Sequence, residues 1–305
     1  MMRVAVLLVA VAAVGVDADH AAGQSTGVLL LAHGGAASWN ERVLAVAKEA
    51  NATQPTEVAF GMASRASIQG AVNRLAARGV TEIVAVPLFV SSYSSVITAT
   101  EYLLGLRSEA PADLKIFAKM NHASHGAPAD DPHAAHVDPA SPVTVALPVR
   151  MTPAFNGHRL IGEIVADRAR AMSTAPTAEA VILVAHGPVP DDDNRRWLED
   201  MAVHAAAVRA SAPYAAVDYM TVRDDAGPAM RDAATAELRA KVSAQAAAGR
   251  RVLVVPHVMS FGGIEQGIRT RLEGLAYTMA DQGLMPDPRV SAWVRDSVAA
   301  ARAAQ

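Results

Sequence analysis

The feature that most constrains the fold is an order of segments that occurs twice along the chain. An apolar run over 27–32 ends in the tripeptide Ala-His-Gly, and a second run ending at Ala185 carries the same tripeptide. In both halves, short runs rich in β-branched residues then alternate with helix-length amphipathic stretches, which is typical of parallel α/β sheets. The sequence therefore predicts two similar α/β units in tandem.

The expected elements follow the same order in each unit. For the first unit the predicted strands are 27–32, 57–61, 81–87 and 142–148, and the predicted helices are 38–50, 66–79, 97–106 and 157–172. For the second unit the predicted strands are 180–185, 215–221 and 251–256, and the predicted helices are 194–210, 228–248 and 263–282. Ser38 and Glu41 form a capping-box pattern for the first helix. The segment LKIFAKM, 114–120, stands outside this order, and a strand of a hairpin is one interpretation of it.

Marker residues support an internal duplication. Trp39 and Trp197 are 158 positions apart, and so are Arg65 and Arg223. A fixed offset between matching residues is the signature of a repeated unit. We place the two units at 27–175 and 176–305.

Composition narrows the kinds of partner. The chain has 305 residues, of which 51% are hydrophobic, and a net charge of −3, so it can bury a sizeable core but has no basic field for nucleic acid or a membrane surface. It has no cysteine, which excludes disulfides and thiolate metal sites. Any metal would be held by His, Asp, Glu or Met.

The first 23 residues have the pattern of a secretory signal peptide. Arg3 precedes an apolar run from Val4 to Val16, which is short for a membrane span, and small and polar residues follow it. We expect a periplasmic or secreted protein with no stable membrane insertion. If the start codon is misassigned, the protein would be cytoplasmic, and a buried amino-terminal strand is another interpretation of the run.

His33 and His186 are the strongest candidates for chemistry. Each follows the first strand of its unit, and ligands of open α/β sheets bind at the carboxyl ends of strands. The glycines that follow permit a sharp backbone turn that exposes the imidazole. Imidazole titrates near neutrality and binds divalent metals, which suits proton removal or metal binding. The alternative is that each histidine only caps its strand through a hydrogen bond. No nucleotide motif follows either strand.

Three segments in this order resemble the family of sirohydrochlorin cobaltochelatases and ferrochelatases, the class II tetrapyrrole chelatases. They are LLLAHGG, VAVPLFV and LPVRMTPAFNGHRLIGEIVADRA in the first unit, and LVAHG and VLVVPHVMSFGG extend the likeness into the second. The resemblance covers about 27–295. It implies two tandem lobes, each with a parallel sheet of about four strands flanked by helices, and a cleft between them.

The resemblance also implies an activity. Members of this family are lyases that insert a divalent metal into a tetrapyrrole and use no nucleotide. For this chain it implies cobalt as the favoured metal, with iron or nickel as alternatives, and a macrocycle such as sirohydrochlorin on the way to cobalamin. His33 and His186 match the family's first histidine and would act as metal ligand and proton acceptor.

The family's second histidine is missing from both units. It lies eight residues after the proline of the third strand, where this chain has Ser95 and Ile264. Two neighbours are candidates to replace it, His257 as a metal ligand and Glu265 as a catalytic group.

Four further residues are candidates for substrate binding. Arg65 and Arg223 could pair with the substrate's carboxylates, although a solvated or internal ion pair explains them equally simply. Tyr93 and Ser95 could line the cleft, or they could belong to a polar helix start. The run DDDN, 191–194, could attract a cation but is better explained as a helix amino terminus.

A histidine-rich insertion, 121–142, interrupts the first unit. It contains His122, His125, His133 and His136, together with aspartates and prolines. Such a segment can collect divalent metal weakly without selecting among metals. A solvated linker is the alternative.

Two other functions remain open on the sequence. An exported, non-catalytic carrier of a tetrapyrrole or metal would fit the leader and the missing histidines, and an interaction domain would remain if neither ligand binds. The duplicated lobes make a monomer plausible, while the oligomeric state is left undetermined.

Overall fold

The computed structural model describes residues 25–124 and 138–304, and it contains two four-stranded parallel sheets. The first comprises β1 (Thr26–Ala32), β2 (Thr56–Phe60), β3 (Glu82–Pro87) and β4 (Val149–Met151), in the order β2-β1-β3-β4. The second comprises β5 (Glu179–Ala185), β6 (Ala216–Thr221), β7 (Arg251–Pro256) and β8 (Thr278–Met279), in the order β6-β5-β7-β8. The predicted α/β class and the two tandem lobes are confirmed.

Helices flank both sheets. The first half contains α1 (Ala37–Asn51), α2 (Arg65–Ala77), α3 (Ser95–Leu103), α4 (Leu114–Ser124) and α5 (Arg159–Met172). The second half contains α6 (Asp191–Ser211), α7 (Pro228–Ala247), α8 (Ile264–Arg271) and α9 (Pro288–Ala303). Every residue of the inner strands β1 and β5 is buried, as expected for strands covered on both faces. No helix in the described ranges is long and apolar enough to cross a membrane.

The last helix of each half packs on the other half. Helix α5 lies against α6 and β7, and helix α9 lies against α1 and β3. One apolar cluster accordingly includes Ile161 and Ile164 of α5, Val294 of α9, and strand residues of both sheets such as Leu30 and Leu183. The two halves therefore share one core.

The fourth strand of the first sheet lies later than predicted. The segment 142–148 has no regular structure, and β4 begins only after Pro148, whose carbonyl accepts a hydrogen bond from the Ile83 backbone. The alternating apolar residues Val143, Val145 and Leu147 instead pack into the cluster beneath α2 and α3. The alternation of apolar residues over 142–148 correctly predicted that these side chains are buried or partly buried, but the strand predicted from it was wrong.

Two helix predictions also need correction, and one helix was not predicted. Helix α1 begins at Ala37 with Ala36 as its N-cap and no side-chain cap, so the capping box of Ser38 and Glu41 is wrong. Helix α8 ends at Arg271, and Gly274, at φ +79°, lies between it and β8, so the predicted helix over 263–282 is too long. Helix α9 had not been predicted.

The segment LKIFAKM forms the greater part of helix α4 and is not a strand of a hairpin. Its apolar residues Leu114, Phe117 and Ala118 have helical spacing and are buried, while Ile116 is exposed. The histidine-rich insertion begins at the end of this helix. His122 lies within the α4 backbone, and His125, His133 and His136 lie outside the described residues, as does the leader.

A buried glutamate anchors the amino end of each sheet. In the first sheet, Glu82 accepts hydrogen bonds from Thr26, its partner in the β1–β3 register, and from Arg150. The bond from Thr26 keeps the pKa of Glu82 below its usual value despite burial, with help from the charges of Arg150 and Arg302. Glu82 of β3 is therefore bonded to Thr26 of β1 and to Arg150 of β4, and it connects these three strands at the amino end of the sheet.

In the second sheet the corresponding strand pair is β5–β7, and the buried glutamate is on β5, the counterpart of β1, whereas Glu82 is on β3. Glu179 of β5 lies in register with Arg251 of β7 and accepts a hydrogen bond from it at 2.9 Å. Burial alone would raise the pKa of Glu179. The bonds from Ser173, from the backbone of Thr174 and Ala175, and from Arg251 outweigh burial and lower the pKa to about 2.

Replacing this glutamate should destabilise the fold in a pH-dependent way. At pH 7 we expect Glu179→Gln to cost about 3 kcal/mol, because the native hydrogen bonds favour the ionised carboxylate by about that amount, as its lowered pKa shows. A depressed pKa stabilises the fold above the ordinary value near 4.5, and this stabilisation is lost as the pH falls through about 2. Urea unfolding at pH 7 and at pH 3 measures the difference, which should be smaller at pH 3. Glu163→Gln, in an exposed pair with Arg159, is the matched control and should change stability by less than about 1 kcal/mol.

Candidate functional site

His33 and His186 occupy equivalent positions at the carboxyl ends of the two inner strands. His33 follows β1 directly, and His186 follows β5. The next residues, Gly34 at φ +81° and Gly187 at φ +75°, adopt the left-handed conformation that favours glycine. The chain turns sharply after each histidine, as predicted, and so each imidazole stands at a strand end.

At the second turn there is no space for a side chain. A Cβ atom on Gly187 would lie 2.4 Å from the Cβ of Thr221, the last residue of β6. The Thr221 hydroxyl in turn donates a hydrogen bond to the Asn194 side chain, at 2.6 Å. Glycine at position 187 therefore permits both the sharp turn and the close approach of Thr221 in β6, which is bonded to Asn194 of α6.

Asp225 is the direct partner of His186. The His186 Nε2 lies 3.3 Å from a carboxylate oxygen of Asp225. Burial lowers the pKa of His186, but the hydrogen bond and charge of Asp225, with the charge of Asp224, outweigh burial and raise the pKa above its usual value. The bond to His186 correspondingly lowers the pKa of Asp225. This imidazole is a stronger base than a free histidine.

His33, in the other half, also influences the pKa of the Asp225 carboxylate. Its ring is exposed and meets the indole of Trp39 edge-on, with 6.3 Å between the ring centroids. The charge of His33 lowers the pKa of Asp225, after the larger contributions of the bond and charge of His186. The charges of both histidines therefore lower the pKa of this one carboxylate.

Sequence reasoning missed Asp225. It lies four residues after the end of β6, in the stretch VRDDAG. Two adjacent carboxylates just beyond a strand, at the sheet edge that carries a candidate histidine, were a usable signal. With the offset of 158 positions that relates Arg65 to Arg223, the matching residues of the first half are Ala66 and Ser67, so the repeated pattern did not mark Asp225.

The two arginines of the duplicated pattern make internal contacts. Arg223 pairs with Asp191 at 2.7 Å and donates to the carbonyls of Pro188 and Val189, so it holds the loop after His186. Arg65 donates through Nε to the Ser141 hydroxyl at 3.2 Å and to the Pro142 carbonyl. The contact of Arg223 with Asp191 is an internal ion pair, which was one of the two interpretations of this residue from the sequence. Substrate binding by either arginine stays a prediction.

The two positions that lack the family's second histidine are equivalent in the two halves. Ser95 is the first residue of α3, and Ile264 is the first residue of α8. Tyr93 lies just before α3, where its backbone carbonyl accepts a hydrogen bond from the Trp197 indole at 2.7 Å. Arg196 lies over its ring, 4.8 Å from the centroid. The predicted cleft-lining roles of Tyr93 and Ser95 remain untested.

Each of the two proposed replacements for the second histidine has contacts of its own. His257 is buried, and its Nε2 lies 2.8 Å from the Nδ1 of His204 on α6. Burial and the neighbouring His204 hold the pKa of His257 well below its usual value. Glu265 accepts hydrogen bonds from the backbone of Gly262 and Gly263 and so caps α8. Metal binding by His257 and catalysis by Glu265 stay predictions, and these contacts supply a structural role for each residue.

Within residues 25–124 and 138–304, no three His, Asp or Glu side chains are grouped so that they could hold a metal ion. Asp191, Asp192 and Asp193 lie in the first turn of α6, which is the helix start that the sequence favoured. The candidate site therefore consists of the contacting pair His186 and Asp225 and of His33 at the equivalent strand end, and these three side chains are not a preformed metal site.

Comparison with a family model places the first half among known sequences. Residues 27–172 match the model of the CbiX family. No curated protein matches the chain. The match includes β1, His33 and the helix α5, which carry the resemblance seen in the sequence.

Solved structures share the two-lobed fold. SirB from Bacillus subtilis, solved with Fe³⁺, has a TM-score of 0.59 at 14% identity, over 90% of this chain and 94% of that one. CbiX, described as the terminal enzyme of sirohaem biosynthesis in denitrifying bacteria, has a TM-score of 0.52 at 17% identity, over 90% and 99%. DR2241 from Deinococcus radiodurans, described as similar to chelatases, has a TM-score of 0.50 at 18% identity, over 90% and 55%. At these identities the likeness establishes the fold.

Removing the carboxylate should change the basicity of one histidine. We expect Asp225→Asn to lower the pKa of His186, because burial persists while the hydrogen bond and negative charge are lost. The imidazole C2 proton, assigned by its loss in His186→Gln, can be followed by NMR between pH 5 and 9. Asp232→Asn, exposed on α7, is the control and should leave the titration unchanged. An unchanged titration in Asp225→Asn would contradict the assigned contact.

A second test separates backbone strain from crowding at Gly187. Gly249 has the same φ of +75°, and no atom lies within 4 Å of a Cβ built on it. Gly249→Ala should therefore cost about 1 kcal/mol from the left-handed conformation alone. Gly187→Ala should cost about 1–3 kcal/mol more, because its methyl group would overlap Thr221. Equal costs in urea unfolding would show that the close approach has no energetic effect.

Proposed function

We infer that this chain is a chelatase of the CbiX-like family and that it inserts a divalent metal ion into a tetrapyrrole. The observation that carries this inference is that His33 and His186 stand at equivalent strand ends of the two lobes, with Asp225 bonded to His186. The charge of His33 also lowers the pKa of this carboxylate. A site built from both lobes suits a flat macrocycle that lies between them. The metal is a substrate here, not a resident cofactor.

The reaction needs a base and a place for positive charge. Metal insertion forms metal–nitrogen bonds and releases two pyrrole protons, so the site must accept protons while a cation enters. His186 is suited to take a proton, because Asp225 stabilises its imidazolium. The exposed imidazole of His33 can bind the metal or accept the second proton.

For the metal and the macrocycle we propose cobalt and sirohydrochlorin, with iron or nickel as alternatives. CbiX is described as the terminal enzyme of sirohaem biosynthesis, and SirB was solved with Fe³⁺, which supports this class of substrate. Imidazole and carboxylate ligands bind all three metals, so selection would come from geometry and metal supply. The leader supports a further proposal, that the protein works in the periplasm or is secreted.

A non-catalytic carrier is the second candidate. It is favoured by one observation, that the family's second histidine is Ser95 at the start of α3 and Ile264 at the start of α8. Such a protein would bind a tetrapyrrole or metal stoichiometrically and would not turn over.

Metal insertion by purified protein decides between the two. We expect faster loss of free sirohydrochlorin absorbance with Co²⁺ and protein than with Co²⁺ alone. His186→Ala and His33→Ala should each reduce the rate by about 100-fold, which is typical for a lost acid–base group. Asp225→Asn should reduce it less and shift the pH profile, and Asp232→Asn should not change it. Binding at one equivalent with no rate above the metal alone would support the carrier and end the chelatase proposal.

A further inference from the structure

Helix α6 of the second half contacts the loop that follows β3 in the first half. The indole of Trp197 donates to the Tyr93 carbonyl at 2.7 Å. The buried hydroxyl of Ser91 donates to a carboxylate oxygen of Asp200 at 3.3 Å. Two residues one turn apart on α6 therefore hold the loop 88–94.

Helix α1 of the first half makes the reciprocal contact with the loop after β7. Arg42 donates a hydrogen bond to the buried hydroxyl of Ser260. The indole of Trp39 lies so close to Gly262 that a Cβ there would be 3.3 Å from its Cδ1 atom. This side thus uses the same residue types, with a cation in place of the carboxylate.

The two contacts are copies of one another. Arg42 and Asp200 are 158 positions apart, the offset of the two tryptophans, and Ser91 and Ser260 are 169 apart, the offset of Pro87 and Pro256. Each loop leads directly into the helix whose first residue is Ser95 or Ile264. The contacts therefore hold the two loops that end at the vacant second-histidine positions.

The contacts differ in what pH does to them. The arginine keeps its charge at any working pH. Burial raises the pKa of Asp200 to about 6, although Ser91 and the Gly157 backbone donate to it, and the charge of Glu199 raises it further. Glu199 itself is paired with Arg195, and on the facing helix α5 Arg159 is paired with Glu163. Arg196, the remaining cation of this turn, lies on the Tyr93 ring.

We propose that Arg42 and Asp200 are positioning residues that clasp the two loops across the halves, and that protonation of Asp200 tightens its clasp. When the clasp opens, water reaches the carboxyl, and its pKa returns toward 3.8. The closed clasp therefore binds the proton more tightly than the open one. Closure is most favoured below about pH 4 and weakens as the pH rises through about 6. This inference holds whether or not the protein is a chelatase.

The tryptophans allow a direct test. Trp39 and Trp197 lie at the two contacts, and Trp293 is buried edge-on against Phe155. In the Trp39→Phe/Trp293→Phe protein, fluorescence therefore reports on the Asp200 side alone. We expect the emission of Trp197 to titrate with a midpoint near pH 6, and this transition to vanish in the same protein carrying Asp200→Asn.

One more variant shifts the midpoint and leaves the contact in place. Glu199→Gln removes a neighbouring negative charge and should lower the midpoint. If the double tryptophan variant does not fold, the carboxyl ¹³C resonance of Asp200, followed by NMR in the otherwise unaltered protein, supplies the same midpoints. A transition that persists in Asp200→Asn, or an Asp200 midpoint near 3.8, would overturn the proposal.

Discussion

The exchange of terminal helices between the halves is the constraint on which the rest of the structure depends. Helix α5 closes the first half but packs on α6 and β7, and α9 closes the second half but packs on α1 and β3. Neither sheet can bury its inner face without the helix of the other. Because this shared core fixes the two sheets relative to one another, His33 and His186 can act on one carboxylate although 153 positions separate them.

The two copies have diverged while keeping this geometry. The buried glutamate stands on β3 in one sheet and on β5 in the other, and the contacts of α1 and α6 carry opposite charges. At the site, only the second half supplies a carboxylate. Duplication thus conserved the backbone and the positions of contact, and the side-chain chemistry became unequal. An asymmetric site suits a reaction in which one face of a ring receives a metal and protons leave.

The sequence predicted the elements with strong periodicity and the residues at strand ends. The inner strands, α2, α5 and α7, and both histidines lie close to where apolar runs and glycines placed them. The strand predicted over 142–148 was wrong because its apolar residues pack on helices, a tertiary contact that the local pattern does not record. The contacts of Arg223 with a loop of its own half and of His257 with His204 were likewise not visible in the sequence. Asp225 was missed because the first half has no carboxylate at the matching place, so the repeated pattern did not mark it.

The buried glutamates also mark where the chain passes from one half to the next. Helix α5 ends at Met172, and Ser173 immediately binds Glu179 at the first residue of β5. At the other end, Arg302 of α9 acts on Glu82, which is bonded to Thr26 at the first residue of β1. The end of α9 is thus related to the start of β1 through Glu82, as the end of α5 is related to the start of β5 through Glu179. The described fold is therefore close to a closed ring of two repeats. The peptide chain connects the repeats directly at the α5–β5 junction and does not connect α9 to β1.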